Sequence, residues 1–296
     1  MKKKIDYFRE VGSARIKGKY DGSVIAVSKD KFLPHGEGVC KYKDGQIYKG
    51  KWKKGKRHGR GEFKWAIGDI YKGNWKNDKK NGKGKFNWFN GDSYIGDWKN
   101  DKPNGRGKFF FKKGFQDRRK SDTYTGQVKN WSRHGKGTYT WVKQGMKYSG
   151  NWKDDKRHGY GEYKEGDSIY TGNWKDDKRW GKGKITIKKK HSISGNFRHT
   201  NLIGKVVMDF WKPVHHGFLL RVDKYVGYIN NKTGQPNGIG RYFLEYNEVA
   251  SGIWKNGKLI HGKEFYGKMI RLIKDGKAFN IRWKKNNLRN FKGKGL

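Results

Sequence analysis

A block of about two dozen residues recurs along this chain, and the repeat limits the possible folds more than any other feature. Each copy begins with Tyr-x-Gly-x-Trp and continues, after six further residues, with Gly-x-Gly. A fixed period of this length predicts an array in which each unit packs on its neighbours. The copies of the first motif are YKGKW at 48–52, YKGNW at 71–75, YIGDW at 94–98, YSGNW at 148–152 and YTGNW at 170–174.

Within each copy, apolar or small residues alternate with polar ones. Tyr48, Gly50 and Trp52 alternate with Lys49 and Lys51. Because successive side chains of a strand point to opposite faces, this alternation predicts hairpins with one aromatic and one basic face. The sequence Asn-Gly-Asp at 90–92 predicts a tight turn. The KNDK and DDKR segments after the Trp residues predict longer loops.

The glycines of the repeat are expected to make room for aromatic rings. A glycine opposite a Tyr or Trp lets the ring lie flat against the neighbouring backbone. Since one hairpin is marginally stable alone, stacked hairpins are needed to build a continuous core. The predicted fold is all-β, an elongated, twisted, single-layer antiparallel meander. Its predicted core residues are Tyr48, Gly50, Trp52, Gly59, Gly61, Tyr71, Gly73, Trp75, Tyr94, Trp98, Tyr148, Trp152, Tyr170 and Trp174.

The repeat also suggests how the chain is divided. The ends of an array need atypical units to cap them, so degenerate copies are expected outside the clear ones. The predicted divisions are a basic N-terminal segment at 1–19, the array at 20–190 with clear copies at 48–190 and an insertion at 112–122, degenerate capping repeats at 191–265, and a basic C-terminal segment at 266–296.

Composition restricts the class of protein. The 296 residues include 71 Lys and Arg against 27 Asp and Glu, for a formal net charge of +44, and 16% are aromatic. The aromatic content favours a folded chain with a thin core over a disordered one. The single cysteine, Cys40, excludes an internal disulfide framework. The sequence has no apolar run of about 20 residues and no apolar segment at its start, so we expect an intracellular, non-secreted protein.

The Tyr-x-Gly-x-Trp and Gly-x-Gly units resemble MORN repeats, and six close copies at matching offsets carry the resemblance over about residues 20–262. The resemblance implies an antiparallel meander of hairpins without catalytic activity or a cofactor of its own. Enzymes with such repeats carry them beside a separate catalytic domain, for which this chain has no room. Members of the family serve as scaffolds in ciliary and cytoskeletal structures, as membrane-junction proteins and as dimerising modules.

The recurring histidines are interpreted as part of the repeat. They precede Gly-x-Gly at His35, His58, His134 and His158, and a single glycine of a degenerate copy at His261. A metal site would need further ligands nearby, whereas the same slot elsewhere holds Asn or Trp, so we predict no metal site and no catalytic residue. The Gly-Lys pairs do not fit the phosphate-loop pattern G-x-x-x-x-G-K-[ST].

The positive charge is the feature that sets this chain apart from typical members of the resembled family. Alternation places many cations on the face opposite the aromatic rings, and this strong field attracts acidic partners. Further cations are expected in loops, at 53–57, 79–80 and 156–157. The cations predicted to face an anionic partner are Lys49, Lys51, Arg60, Lys72, Lys83, Lys85, Arg106 and Lys108.

Three functions are compatible with this pattern. The first is a scaffold that holds acidic protein surfaces in a multi-protein assembly, whether cytoskeletal, nucleoprotein or virion. The second is a nucleic-acid or nucleoprotein binder that neutralises phosphates without reading sequence. The third is peripheral adsorption to acidic phospholipid. The edge of a terminal strand could also pair with a second copy of the chain, which predicts self-association.

Overall fold

A computed structural model describes residues 1–11, 14–112, 121–188, 190–216, 220–244, 247–266 and 269–282. These residues form 23 strands of one antiparallel meander sheet, and none of their pairings closes it into a barrel. The predicted all-β meander is therefore confirmed. Across the described ranges, no helix is long and apolar enough to cross a membrane. The chain divides into two compact units, Met1–Lys156 and Arg157–Leu296.

The first unit contains the insertion and most of the clear repeats. Each strand pairs with the next, and the pairing of Asp122 with Phe111 places the insertion between two hydrogen-bonded strands. Most of the insertion, residues 113–120, lies outside the described residues. The strands are β1 (Lys2–Val11), β2 (Ala14–Ser28), β3 (Lys31–Tyr42), β4 (Ile47–Lys53), β5 (Lys56–Lys64), β6 (Ile70–Lys76), β7 (Lys79–Asn87), β8 (Ser93–Lys99), β9 (Lys102–Phe111), β10 (Asp122–Lys129), β11 (Ser132–Trp141) and β12 (Met146–Lys153).

The second unit continues the meander through the degenerate copies. Its core includes Tyr225, Tyr242 and Trp254. Trp254 Nε1 donates to Gly240 O at 3.1 Å, and in the clear repeats the Trp of each Tyr-x-Gly-x-Trp motif likewise donates to the second glycine of the preceding Gly-x-Gly. The strands are β13 (Lys156–Glu165), β14 (Ser168–Lys175), β15 (Lys178–Ile187), β16 (His191–His199), β17 (Asn201–His216), β18 (Leu220–Ile229), β19 (Pro236–Leu244), β20 (Asn247–Lys255), β21 (Lys258–Tyr266), β22 (Met269–Lys274) and β23 (Lys277–Arg282).

Both terminal basic segments contribute strands. Residues 1–19 include β1 and the first part of β2, and Tyr7 Oη donates to Gly55 O at 2.9 Å. At the other end, β22 and β23 form a hairpin within the predicted basic C-terminal segment at 266–296. Residues 283–296 of that segment lie outside the described residues. The N-terminal lysines at 2–4 therefore lie on β1, which is paired with β2.

The hairpin connections after the Trp residues are tighter than the sequence suggested. Asn77 and Asp78 have φ values of 48° and 67°, and they alone connect β6 to β7. Two consecutive positive φ values define a type I′ turn, whose twist matches that of the flanking strands, and Asn and Asp tolerate this conformation. The prediction of longer loops was therefore wrong, whereas the tight turn at 90–92 is confirmed by the bond from Gly91 N to Trp88 O at 3.0 Å. Pairs of positive φ recur at 54 and 55, 100 and 101, 130 and 131, 154 and 155, 176 and 177, 256 and 257, and 275 and 276.

The two glycines of each Gly-x-Gly have different roles. Between β4 and β5, Gly50 pairs with Gly61 but Trp52 pairs with Arg57, so the register shifts in a β-bulge. Gly59 lies in this bulge with φ of +70°, a conformation that side chains strongly disfavour. A Cβ at Gly59 would meet the Lys51 side chain, so this predicted core glycine lies at the bulge and not beneath a ring.

The second glycine of each pair makes room for a tyrosine, as predicted. A Cβ at Gly61 would lie 2.5 Å from Cζ of Tyr48, whose ring is fully buried. Tyr48 Oη donates to Lys51 O at 2.9 Å, and the ring makes edge contacts with Trp52 and Trp75. In the first unit, glycines on eleven successive strands, β2 to β12, are directly opposite one another in register, at Gly22, Gly38, Gly50, Gly61, Gly73, Gly84, Gly96, Gly107, Gly126, Gly137 and Gly150.

Candidate basic interaction face

The eight cations predicted to face a partner are all exposed. In β4, buried Tyr48 and Trp52 alternate with exposed Lys49 and Lys51, so the cations project from the side opposite the rings. We call the eight residues on this side the basic face. They are Lys49, Lys51, Arg60, Lys72, Lys83, Lys85, Arg106 and Lys108.

The basic face consists of two rows that flank the line of glycines. Pairing links Lys72 directly to Lys85. Across the next two strands, Lys85 pairs with Ile95 and Ile95 pairs with Lys108. Like charges directly opposite each other are destabilising, so folding by itself gives no reason for the Lys72–Lys85 pair. The first row holds Lys49, Lys72, Lys85 and Lys108, and the second holds Lys51, Arg60, Lys83 and Arg106.

A shallow groove of about 790 Å³ lies on this side of strands β7 to β11. Its floor is backbone at Gly84, Gly96, Gly107 and Gly126. Three members of the basic face line the groove, together with Lys136, which was not among the predicted partner-facing cations. The lining side chains that matter for charge and shape are Lys83, Ile95, Arg106, Lys108, Gln127 and Lys136.

Two acidic side chains neutralise part of the basic face. Lys83 Nζ lies 2.6 Å from Asp97 Oδ1, and Lys72 Nζ lies 3.6 Å from Glu62 Oε2. Burial raises the pKa of Asp97, but the hydrogen bonds from Lys83 and from the Arg106 backbone together hold that pKa below its ordinary value. Within the described part of the chain, the charged side-chain nitrogens of the other six cations of the basic face have no carboxylate oxygen within 4.0 Å. Their charge is available to a partner.

A second set of cations, expected in loops, is instead part of the aromatic core. The Arg57 guanidinium lies 4.3 Å from the ring centroid of Trp75, and its Nε donates to Asp78 Oδ1 at 2.9 Å. Lys80 Nζ lies 4.9 Å from the Trp98 centroid, and burial lowers the pKa of this lysine. Arg133 over Trp152 and Arg157 over Trp174 repeat the arrangement.

These stacked cations serve the fold, because a desolvated cation over an indole contributes about 2 kcal/mol. The prediction that Arg57, Lys80 and Arg157 lie in loops was therefore wrong. The signal was present in the sequence: each of these basic residues comes five positions after the Trp of one Tyr-x-Gly-x-Trp motif and 17 or 18 positions before the Trp of the next such motif.

The histidines of the repeat contact turn residues. His35 Nδ1 accepts from the backbone N of Lys54 at 3.4 Å, and His134 Nδ1 lies 3.5 Å from Asp154 Oδ1. His261 Nε2 lies 3.3 Å from Asp275 Oδ1. Among the residues that the structure describes, no three His, Cys, Asp or Glu side chains are grouped so as to hold a metal ion. The histidine slot thus links a strand to the turn of a neighbouring hairpin.

Tandem hairpins, an aromatic and glycine ladder on one side, and a type I′ turn after each Tyr-x-Gly-x-Trp motif define a class of β-hairpin repeat protein. The MORN repeat family model matches residues 33–47, 48–70, 71–93, 94–115, 124–146, 148–167 and 170–190. The chain belongs to the MORN repeat family, whose repeats are generally non-catalytic.

One curated relative is MORN repeat-containing protein 3 from Xenopus laevis. It is 49% identical to this chain over 47 residues, which is 16% of this chain and 20% of that protein. The aligned part thus spans about a fifth of the relative. The comparison supports the shared repeat and gives no activity or partner.

Proposed function

We propose that this chain is a non-catalytic scaffold whose basic face binds an acidic surface of a partner protein within a larger assembly. The observation that carries the proposal is the set of six exposed cations on one side of a regular sheet. Among the described residues, no carboxylate oxygen lies within 4.0 Å of their charged side-chain nitrogens. They are Lys49, Lys51, Arg60, Lys85, Arg106 and Lys108.

Electrostatics gives such a face two effects. A strongly charged surface raises the rate of encounter with an oppositely charged partner, and this effect falls as salt increases. Charge complementarity also fixes the orientation of the complex. Because the cations stand on paired strands, their backbones need no ordering when a partner binds, which reduces the entropic cost of association.

The second candidate function is sequence-independent binding of nucleic acid, which the net charge of +44 favours. Glu62 and Asp97 lie among the cations of the basic face, and they would repel a phosphate backbone. A protein surface with mixed charge can satisfy both signs, so we place an acidic protein first. Peripheral adsorption to acidic phospholipid is the third candidate, since adsorption needs only the positive charge.

Location and assembly are also part of this proposal. We infer an intracellular protein that works within a cytoskeletal, nucleoprotein or virion assembly, and the edge strands allow pairing with another copy. These inferences rest on the net charge and on the repeat architecture.

The test is crosslinking in the native source, followed by mass spectrometry with and without nuclease. We expect nuclease-resistant crosslinks from Lys49, Lys72 and Lys83 to acidic proteins. Contacts that vanish with nuclease would replace this function with nucleoprotein binding. Crosslinks confined to lysines outside the basic face would refute the proposal.

A matched pair of triple variants sharpens the test. One variant changes Lys85, Arg106 and Lys108 of the basic face to Gln. The control changes three exposed turn lysines to Gln, namely Lys43, Lys143 and Lys188. Both remove three positive charges, so only a partner that uses the basic face distinguishes them. Equal loss of partner binding in both variants would show that net charge alone matters.

A further inference from the structure

One position in the charged groove is apolar. Ile95 is 46% exposed, and in register it lies between Lys85 on β7 and Lys108 on β9. The equivalent position of the two preceding clear repeats holds a lysine, Lys49 or Lys72. Ile95 therefore interrupts a basic row with an aliphatic side chain that the fold leaves uncovered.

The surroundings of Ile95 favour a peptide over nucleic acid. Side chains that line the groove include Lys83, Arg106, Lys108, Gln127 and Lys136, but no aromatic ring on which a base could stack. Asp97, paired with Lys83 at 2.6 Å, adds a negative charge beside the groove. A single apolar side chain amid cations instead matches an acidic peptide that carries one large apolar residue.

We propose that the groove on β7 to β11, with Lys85 at its edge, binds an acidic peptide segment whose apolar side chain covers Ile95. Flanking carboxylates of the peptide contact Lys85 and Lys108 on either side of Ile95, and further carboxylates contact Arg106 and Lys136. The proposal rests on the proposed scaffold function and specifies its ligand. Adjacent strands are about 4.8 Å apart, so Lys85 and Lys108 are separated by about 10 Å across Ile95. An extended chain covers that distance in about three residues, which sets the spacing of the carboxylates around the apolar residue.

The test is fluorescence anisotropy with two labelled acidic peptides of Glu and Asp that differ only at a central Leu or Ser. The wild-type chain is expected to bind the Leu peptide about five- to tenfold more tightly, because the leucine and Ile95 cover each other. Replacing Ile95 by Ser should abolish this preference. Ile95→Lys, which installs the residue found in the two preceding clear repeats, should also abolish this preference while it retains binding of both peptides.

The control is Ile67→Ser, because Ile67 is 66% exposed but lies in a turn and does not line the groove. This variant should keep the full preference for the Leu peptide. If Ile95→Ser keeps the preference as well, the inference is wrong. If Ile67→Ser loses the preference to the same degree, the effect is not specific to the groove and the inference is again wrong.

A second comparison separates the inference from the proposed function. Suppose that the triple variant of Lys85, Arg106 and Lys108 no longer binds either peptide, while Ile95→Ser keeps the preference for the Leu peptide. The scaffold function then stands and only the peptide assignment fails. If the triple variant binds both peptides as tightly as the wild-type chain, both ideas fail. Tighter binding of single-stranded DNA, or of phosphatidylserine vesicles, than of the Leu peptide at near-physiological salt would also overturn the peptide assignment.

Discussion

Replacing Gly61 by Ala tests the packing that holds every repeat together. The added Cβ would lie 2.5 Å from Cζ and 2.6 Å from Cε2 of Tyr48. Tyr48 is fully buried, and its ring makes edge-to-face contacts with Trp52 at 5.0 Å and with Trp75 at 5.6 Å. The ring therefore cannot move away from the new methyl group without weakening both contacts.

The expected cost follows from these contacts. Each edge-to-face pair contributes about 0.5–1.5 kcal/mol, and the hydrogen bond from Tyr48 Oη to Lys51 O, at 2.9 Å, contributes about 1 kcal/mol. Loss of unfolded-state freedom on going from Gly to Ala offsets up to about 1 kcal/mol. We expect Gly61→Ala to lower the free energy of unfolding by about 2–3 kcal/mol.

A double-mutant cycle isolates the clash from other effects of the methyl group. Unfolding in urea is followed by far-UV circular dichroism for Gly61→Ala, Tyr48→Ala and the double variant. In the Tyr48→Ala background the ring is absent, so Gly61→Ala should no longer lower the free energy of unfolding and should raise it by up to about 1 kcal/mol. An equal cost in both backgrounds would refute the reasoning, because the penalty would then lie in the backbone.

Three further predictions concern the bulge, the stacked cations and the buried phenols. At Gly59, where φ is +70°, Gly59→Ala should lower the free energy of unfolding by about 1–2 kcal/mol in the same urea assay, and Gly59→Asn should lower it by less. Equal losses for the two variants would contradict the role of the left-handed conformation. Arg57→Ala should lower the free energy of unfolding by about 2–4 kcal/mol, because it removes the contacts with Trp75 and Asp78. The control Arg60→Ala should change it by less than about 0.5 kcal/mol. Similar values for the two variants would contradict the assignment of Arg57 to the core. Burial raises the pKa of Tyr20 and of Tyr170 from 10.0 to about 12, so the folded chain retains protons that the unfolded chain loses near pH 10. The contribution of these two groups to the free energy of unfolding should therefore be constant below pH 10 and fall as the pH rises towards 12. Thermal unfolding at a series of pH values measures this fall. An unchanged melting temperature over that range would contradict it.

The sequence determined the repeat and the strands because both depend on local spacing. Alternation in β4 placed Tyr48 and Trp52 on one face and Lys49 and Lys51 on the other, as the structure has them. The role of Gly61 also followed, since only a residue without a side chain allows the Tyr48 ring to lie on the backbone.

Turns and bulges were harder to predict from the sequence. The pair Asn77–Asp78 is compatible with many connections, and the type I′ turn depends on the twist of the strands on either side. The bulge at Gly59 likewise follows from a register shift between Gly50 and Trp52, which depends on how two strands align. The two-residue alternation predicted that Gly59 lies beneath an aromatic ring, and it did not reveal the left-handed backbone conformation of this glycine.

The sequence by itself determined that this chain is a basic array of β-hairpins with one aromatic face. Only the tertiary structure decided which cations are available to a partner. Arg57 and Arg60 are three positions apart in the same basic stretch, yet Arg57 stacks on Trp75 and Arg60 is exposed on the opposite side. The physical reason is that the partners of Arg57, Trp75 and Asp78, come from the next hairpin, and only the pairing of strands brings them within contact distance.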